Sequence, residues 1–410
     1  MPRLNNKVCV GCACVCDDIT VEIEDDQVQF ENACSLGDAW VSQPTPSVDV
    51  RVDGEQAELE FAIESAATLL ANARNPLIAG MGSLTTEGQQ QLVNLAIGHR
   101  ATIDTTFSHG GRSGVYALQR QGAVTATLGE VNQRGDTIVF WFCDPLTTHP
   151  RFVERYCQTA KTIIVVDAKS TPTSKKADLF IQATHAEAIR NLTQIRSIIA
   201  GKTSSRTNTS LDSEQAMAFK SLSTHLENSQ YAVSIYGAAA SDSQFDLIAD
   251  SIVALTRELT SRTRAVCVSM RMDANTLSAE NVLTWTTGAP FSMKLPVTPE
   301  SFDASNRAAT LLELNQCDLV FVAGGFDLPH GNARTSLANS NSIWLVADRQ
   351  TEQQALELDG NVIIAVGRPG ITDSGSWCRM DDVSLPLSKL TTTSYPSALE
   401  VIRAIKAHKS

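Results

Sequence analysis

Apolar and polar positions along this chain follow two rhythms. In DITVEIEDDQVQF, residues 18–30, Ile19, Val21 and Ile23 alternate with polar residues. The acidic turn Glu24, Asp25, Asp26 then leads to Val28 and Phe30, a pattern that predicts two short strands in a hairpin. After the linker SQPTPSVDVRVDGEQ, FAIESAATLLANAR has helical spacing, and PLIAGMGS reads as a buried strand running into a glycine turn. TEGQQQLVNLAIGHR opens with Thr and Glu capping signals, and DTIVFWFCDP (136–145) and KTIIVVDA (161–168) are further apolar strands. Runs as continuous as TIIVVDA require cover on both faces, as in a parallel sheet flanked by helices.

Two helical segments, HAEAIRNLTQIRSIIAG and SEQAMAFKSLSTHLENS, flank the polar tract KTSSRTNTSLD, which places a domain boundary near 202–230. The pattern then restarts with YAVSIYG, the helix FDLIADSIVALTRELTSRT, and the strands AVCVSM, DLVFVAGGFD, SIWLVAD and NVIIAV. Asp136 and Asp318 lie 182 positions apart, and Asp167 and Asp348 lie 181 apart, an offset constant enough to indicate a pseudo-repeat. The expected fold is α/β. It comprises a small cysteine-rich β domain over 1–55 and two doubly wound lobes over 56–225 and 226–410, with ligands bound where strands end.

Composition narrows the function. Hydrophobic residues make up 43% of the 410 and charged residues 19%, which suits a folded chain with a sizeable core. The net charge of −12 opposes binding to nucleic acid and leaves small molecules or other proteins as partners. MPRLNNK has no apolar core of a leader and no run of about 18 apolar residues follows, so the expected setting is the cytoplasm, away from membrane.

Chemistry concentrates at the start, where Cys9, Cys12, Cys14, Cys16 and Cys34 are half of the ten cysteines. Cys9, Cys12 and Cys16 form C-x2-C-x3-C, and the hairpin can return Cys34 to them. Three thiols in one loop closed by a distant fourth favour a 4Fe-4S cluster over zinc, with unmetallated thiols as the alternative. Cys14 is surplus to that count. Asp144, His149 and Arg151 follow a strand at its carboxyl end and are candidate cofactor contacts, with loop hydrogen bonding the alternative for His149. Gly80, Gly82, Gly324 and Gly325 follow strands without a G-x-G-x-x-G spacing and read as tight turns. Cys143, Cys157, Cys267 and Cys317 read as core thiols, and Lys169, Lys175 and Lys176 as a small basic surface. His109 beside Ser108 lacks the elbow of a serine hydrolase.

VCVGCACVCDDI with NACSLG, then FSHGGRSGVYALQRQG, LGEVNQRGDTIVFWFCDPLTTHPRF and VVDAKSTPTSKKADLFI, resemble the B-type subunit of formylmethanofuran dehydrogenase, of the molybdopterin oxidoreductase superfamily. The resemblance implies a 4Fe-4S domain followed by lobes holding a molybdenum or tungsten bispterin that reduces carbon dioxide to formate. The family's metal-ligating Cys-His-Gly is here Ser108-His109-Gly110, and its Met-Arg-Gly-His is Met270-Arg271-Met272-Asp273. The stretch Thr372–Asp381 also departs from the family pattern. Ser108, His109 and Arg271 therefore mark a catalytic place that has drifted. Such departures resemble the bacterial formyltransferase/hydrolase complex of tetrahydromethanopterin-linked one-carbon oxidation, in which a formyl group passes to a methanofuran analogue and is hydrolysed in another subunit. The resemblance implies a structural B-type subunit with partner subunits, a 4Fe-4S cluster, and a degenerate pterin-metal site. The rival readings are an active molybdenum or tungsten dehydrogenase subunit and an electron-transfer module that uses the cluster alone.

Overall fold

The structure is a computed structural model and describes residues 3–24, 27–107, 112–201, 214–237, 243–272, 275–324 and 328–408. Two compact units emerge. One contains residues 1–109 and 273–410, and the other is an insertion spanning 110–272.

The inserted unit is built on a wholly parallel five-stranded sheet. Its spatial order is Leu179–Gln182, Thr162–Asp167, Thr137–Trp141, Tyr231–Gly237, Arg264–Met270. In chain order this is 3-2-1-4-5, a doubly wound arrangement whose direction reverses between the strands starting at Thr137 and Tyr231. Val139, Trp141, Ile164, Val166 and Cys267 share a buried cluster with the helices His185–Ile199, Glu214–Asn228 and Ser243–Leu259.

The larger unit carries a sheet whose parallel part runs Val362–Ala365, Asn341–Val346, Leu319–Val322, Pro76–Ala79, Thr102–Ile103. Short antiparallel strands flank it, Met293–Lys294 at one edge and Val50–Val52 with Glu55–Gln56 at the other. Alternate residues of each strand enter opposite cores. Ile78, Phe321, Leu345 and Ile364 pack on one face, and Leu77, Val320, Trp344 and Ile363 on the other. This two-sided burial explains the continuous apolar runs, because neither pleat face meets water. Truncating Phe321, which is fully buried, would cost about 3–5 kcal/mol.

Numbered along the chain within each sheet, the orders differ, 3-2-1-4-5 against 5-4-3-1-2, but they agree when each strand is numbered within its own successive set of five. The chain lays down two successive sets of five strands. The first starts at 76, 102, 137, 162 and 179, and the second at 231, 264, 319, 341 and 362. Each sheet takes three strands from one set and two from the other. The expected lobes, 56–225 and 226–410, thus match the sets in sequence but not the folded units, and the boundary expected near 202–230 falls inside the inserted unit. Hydrophobic periodicity identifies a strand but says nothing about which strand it pairs with, and here the partners are exchanged.

The cysteine-rich region forms a three-stranded antiparallel sheet, Arg3–Lys7, Ile19–Glu24 and Gln27–Phe30, followed by helix Ser35–Val41. The hairpin is as expected, and Arg3–Lys7 adds a strand the pattern did not show. The region ends before 55, because Val50–Val52 already belongs to the large sheet. Its exit is pinned by the buried Glu352 carboxylate, which accepts the backbone N–H groups of Ser47 and Val48 at 3.0 and 2.8 Å. Arg368 adds a second anchor. It donates to the carbonyls of Gln43 and Val41 at 2.8 and 3.0 Å and lies over the Trp40 ring.

Candidate functional site

Cys9, Cys12, Cys14 and Cys16 occupy the loop after the first strand, and Cys34 caps the start of helix Ser35–Val41. The loop closes on itself through Cys9 N–H to the Cys16 carbonyl at 2.8 Å and Val15 N–H to the Cys12 carbonyl at 3.2 Å, with Val15 in the left-handed region at φ 42°. Glycines permit the approach of the helix. A Cβ on Gly11 would lie 2.7 Å from the Leu36 carbonyl oxygen, and one on Gly37 would lie 3.0 Å from Cys9 Sγ.

Burial pushes the Cys9 thiol far up from its ordinary value, and the charges of Cys16, Cys12 and Cys34 push it the same way. Neighbouring thiols disfavour one another's ionisation unless a cation joins them, which is the chemistry of a metal or cluster site. No three of the sulfurs of Cys9, Cys12, Cys16 and Cys34 lie within 4.8 Å of one another. Cys14 is placed differently. Its thiol and its backbone N–H both donate to Cys12, and the thiol bond is the largest cause of the lowered Cys12 pKa. The sulfurs of Cys14 and Cys12 lie within 4.8 Å of each other, so the structure sets the surplus cysteine beside one of the expected ligands.

A lid of tertiary contacts holds this loop. Val10 and Val15 pack with Trp377 and Leu387 of the hairpin Gly375–Cys378 and Ser384–Leu387, and Met380 N–H donates to the Ala13 carbonyl at 3.0 Å. The buried Arg379 and Asp381 form a bidentate pair at 2.7 and 2.8 Å beside it. The drifted stretch Thr372–Asp381 therefore covers the cysteine loop.

In the large sheet the direction reverses between the strands starting at Pro76 and Leu319, and the glycine turns end there. Gly80 is left-handed at φ 78°, and a Cβ on it would lie 2.7 Å from the Gly324 carbonyl oxygen. Gly325 lies outside the described residues. The cavity at these strand ends measures about 20 Å³ and is lined by Ser83, Thr85, Asp348, Thr351 and Asp373 among others, with no basic side chain among the described residues. That is room for about one water. Burial raises the Asp373 pKa to about 6, and the carboxylates of Glu400 and Glu87 add to the shift. A small acidic cavity does not fit the diphosphate of a pterin dinucleotide.

In the inserted unit the reversal point lies after Trp141 and Gly237. A Cβ on Gly237 would lie 2.4 Å from the Phe142 carbonyl oxygen, so only glycine fits. The Asp144 carboxylate, expected to meet a cofactor, accepts the Thr173 N–H at 2.9 Å, the Thr173 hydroxyl, and the Thr147 hydroxyl at 2.5 Å. His149 is 1% exposed, and its Nε2–H donates to the Arg271 carbonyl at 2.8 Å while Nδ1 meets the Thr148 hydroxyl at 2.9 Å. Burial lowers its pKa to about 4, so the ring is neutral at pH 7. Arg151 pairs with Glu154 at 3.6 Å. Asp144 and His149 thus lock their loop, and His149 meets Arg271 through the backbone carbonyl of that arginine. Ser108 and His109 lie outside the described residues.

Cys143, Cys157, Cys267 and Cys317 are buried, as expected of core thiols, and Lys169, Lys175 and Lys176 are exposed. No helix of the described residues is long and apolar enough to cross a membrane. Sequence reasoning missed Glu352 and Arg368, because an isolated charge in an amphipathic segment looks like surface until its partner is known.

No protein-family model matches the chain. It is 27% identical to the B-type subunit of the tungsten-containing formylmethanofuran dehydrogenase 2 of Methanocaldococcus jannaschii, over 94% of this chain and 93% of that one. It is 26% identical to the protein of the same name from Methanococcus maripaludis, over 95% and 94%. Among solved structures it matches a chain of the formyltransferase/hydrolase complex (FhcABCD) from Methylorubrum extorquens in complex with methylofuran. That match has a TM-score of 0.69 and 20% identity, and it covers 87% of this chain and 97% of that one. Along nearly its whole length, then, the chain is similar to the B-type subunit of formylmethanofuran dehydrogenase, and it shares its fold with a chain of the formyltransferase/hydrolase complex.

Proposed function

We propose that this chain is the B-type subunit of a formyltransferase/hydrolase-type complex of tetrahydromethanopterin-linked one-carbon oxidation, and that its role there is structural. Transfer of a formyl group and hydrolysis to formate move no electrons, so such a subunit has no redox work. The observation that carries the reading is the small acidic cavity of about 20 Å³ where the large sheet reverses. It accompanies Ser108 at the place of the family's metal-ligating cysteine.

Cys9, Cys12, Cys16 and Cys34 would hold a 4Fe-4S cluster, with Cys14 donating to Cys12. A bound cluster supplies a cross-link and, where accessible, an electron site. In this reading its binding free energy is folding free energy for the first 41 residues. The other subunits of the complex supply the hydrolytic metal site, and the assembly works in the cytoplasm.

A second reading is favoured by the names of the two relatives, which are tungsten-containing dehydrogenase subunits. In it Ser108 replaces the thiolate as metal ligand. The test is a count of iron, zinc, molybdenum and tungsten in the anaerobically purified complex, with electron paramagnetic resonance of the reduced form. About four irons per chain and no tungsten or molybdenum is the expected result. Tungsten or molybdenum near one per chain, with viologen-linked activity, would overturn the structural reading.

A further inference from the structure

The larger unit holds a groove that takes no part in the function proposed above. One wall is a stripe of helix Thr276–Thr287 carrying Ser278, Asn281, Thr284 and Trp285, and the other is the hairpin with Cys378 and Asp382. Its volume is about 420 Å³, and no Lys, Arg or His is among its described lining residues. The helix buries Ala279, Val282 and Leu283 on its other side and Ser278 at the foot of the groove, so Asn281, Thr284 and Trp285 form its outward face.

Two features define the chemistry. Trp285 is 60% exposed, whereas Trp141, Trp344 and Trp377 are buried and Trp40 carries the guanidinium of Arg368. Asp382, in the left-handed region at φ 68°, holds its carboxylate in the groove, where it accepts from Asn281 Nδ2 at 2.5 Å and from the Cys378 thiol at 3.5 Å. The Thr284 hydroxyl donates to the Glu280 carbonyl at 2.7 Å, so its oxygen is left as an acceptor, and with an open indole face and one oriented carboxylate it makes a site that is acceptor-lined and negative in charge. Its complement is a flat cation with several N–H donors. Guanidinium stacks on indole and spreads its donors in a plane, which an ammonium cannot do.

We propose that this groove receives an arginine side chain presented by a partner subunit. A free small cation would meet a single exposed carboxylate in water, which holds little. An arginine delivered by a protein surface shuts water out of the same contacts, and tryptophan and arginine are the residues on which interfaces concentrate their binding energy. The inference rests on the multi-subunit reading above.

The test uses the complex as purified with its partner subunits. Trp285→Ala and Asp382→Asn are each expected to raise the dissociation constant of this chain about tenfold. Trp285→Phe should recover part of that loss, and the Asp382→Asn effect should shrink at high salt. Hydroxyl-radical oxidation of the wild-type complex needs no variant, and Trp285 should be protected there and become reactive after salt dissociation. Equal Trp285 reactivity in both states would overturn the proposal. So would a loss with Trp285→Ala but none with Asp382→Asn, which would assign the groove to a neutral ligand. A chain that purifies without partners overturns the proposed function itself, whereas one that purifies with partners and leaves Trp285 reactive overturns only the groove.

Discussion

Asp136 and Asp318 do the same work in different sheets. Each stands one residue before a parallel strand, and each carboxylate accepts two consecutive backbone N–H groups at the entry to the strand across the reversal point. Asp136 takes Gln230 and Tyr231 at 3.0 and 3.1 Å, and Asp318 takes Arg74 and Asn75 at 2.7 and 2.9 Å. Backbone donors at a strand entry have no ladder partner, and a carboxylate satisfies two at once. The repeat seen in the sequence is therefore a repeat of hydrogen-bonding function. Asp178 and Asn361 extend it, accepting from Ile163 and Ser342 at 2.7 and 2.9 Å.

Asp136→Ala and Asp318→Ala should each lower stability by about 1–2 kcal/mol, because two donors lose a charged acceptor at partly solvated positions. The asparagine variants, which keep one acceptor oxygen, should lose about half of that. Thermal melts of the purified protein check the ranking. Equal melting temperatures for wild type and both alanine variants would count against the role.

Serine substitution of Cys9, Cys12, Cys16 or Cys34 should abolish iron retention in the complex and expose the first 41 residues to proteolysis. Cys14→Ser should keep the iron, since Cys14 serves as a donor to Cys12. Its reduced cluster should show a shifted potential. Iron assay and redox titration separate the two classes, and iron loss from Cys14→Ser equal to that of Cys9→Ser would show that the ligand set is misassigned.

Glu352→Ala should cost about 2–3 kcal/mol, since it strands the backbone donors of Ser47 and Val48 beside a buried position. Arg368→Met should loosen the same junction by freeing the carbonyls of Val41 and Gln43. Hydrogen exchange over residues 35–50 should rise in both variants, ahead of any change in the inserted unit.

A buried histidine and a half-buried aspartate give the stability profile opposite slopes. His149 titrates at 6.5 when unfolded and at about 4 when folded, so its contribution is present above pH 6.5 and lost as pH falls toward 4, a difference of about 3 kcal/mol. His149→Gln should flatten that acid arm. Asp373 rises from 3.8 to about 6, so the fold favours its protonated form, and that contribution is lost as pH rises through 6. Asp373→Asn should gain about 1 kcal/mol at pH 8, discounted for partial exposure, and nothing at pH 3.5. Denaturation midpoints across pH 3.5–8 check both.

The sequence by itself determined the elements. The alternation around Ile19, Val21 and Ile23 and the apolar runs at 137 and 162 are local signals, because side-chain periodicity is written residue by residue. Tertiary structure decided the pairings. The strands starting at Pro76 and Leu319 are neighbours although 243 positions separate them, and those starting at Thr137 and Tyr231 meet in the other sheet. Two strand sets of the same period can pair within or between themselves, and only packing selects one arrangement. The same holds for single residues. His149 and Asp144 looked like cleft ligands because they follow a strand, but whether a polar side chain faces a ligand or a carbonyl depends on which loop arrives beside it. For His149 that loop brings the carbonyl of Arg271.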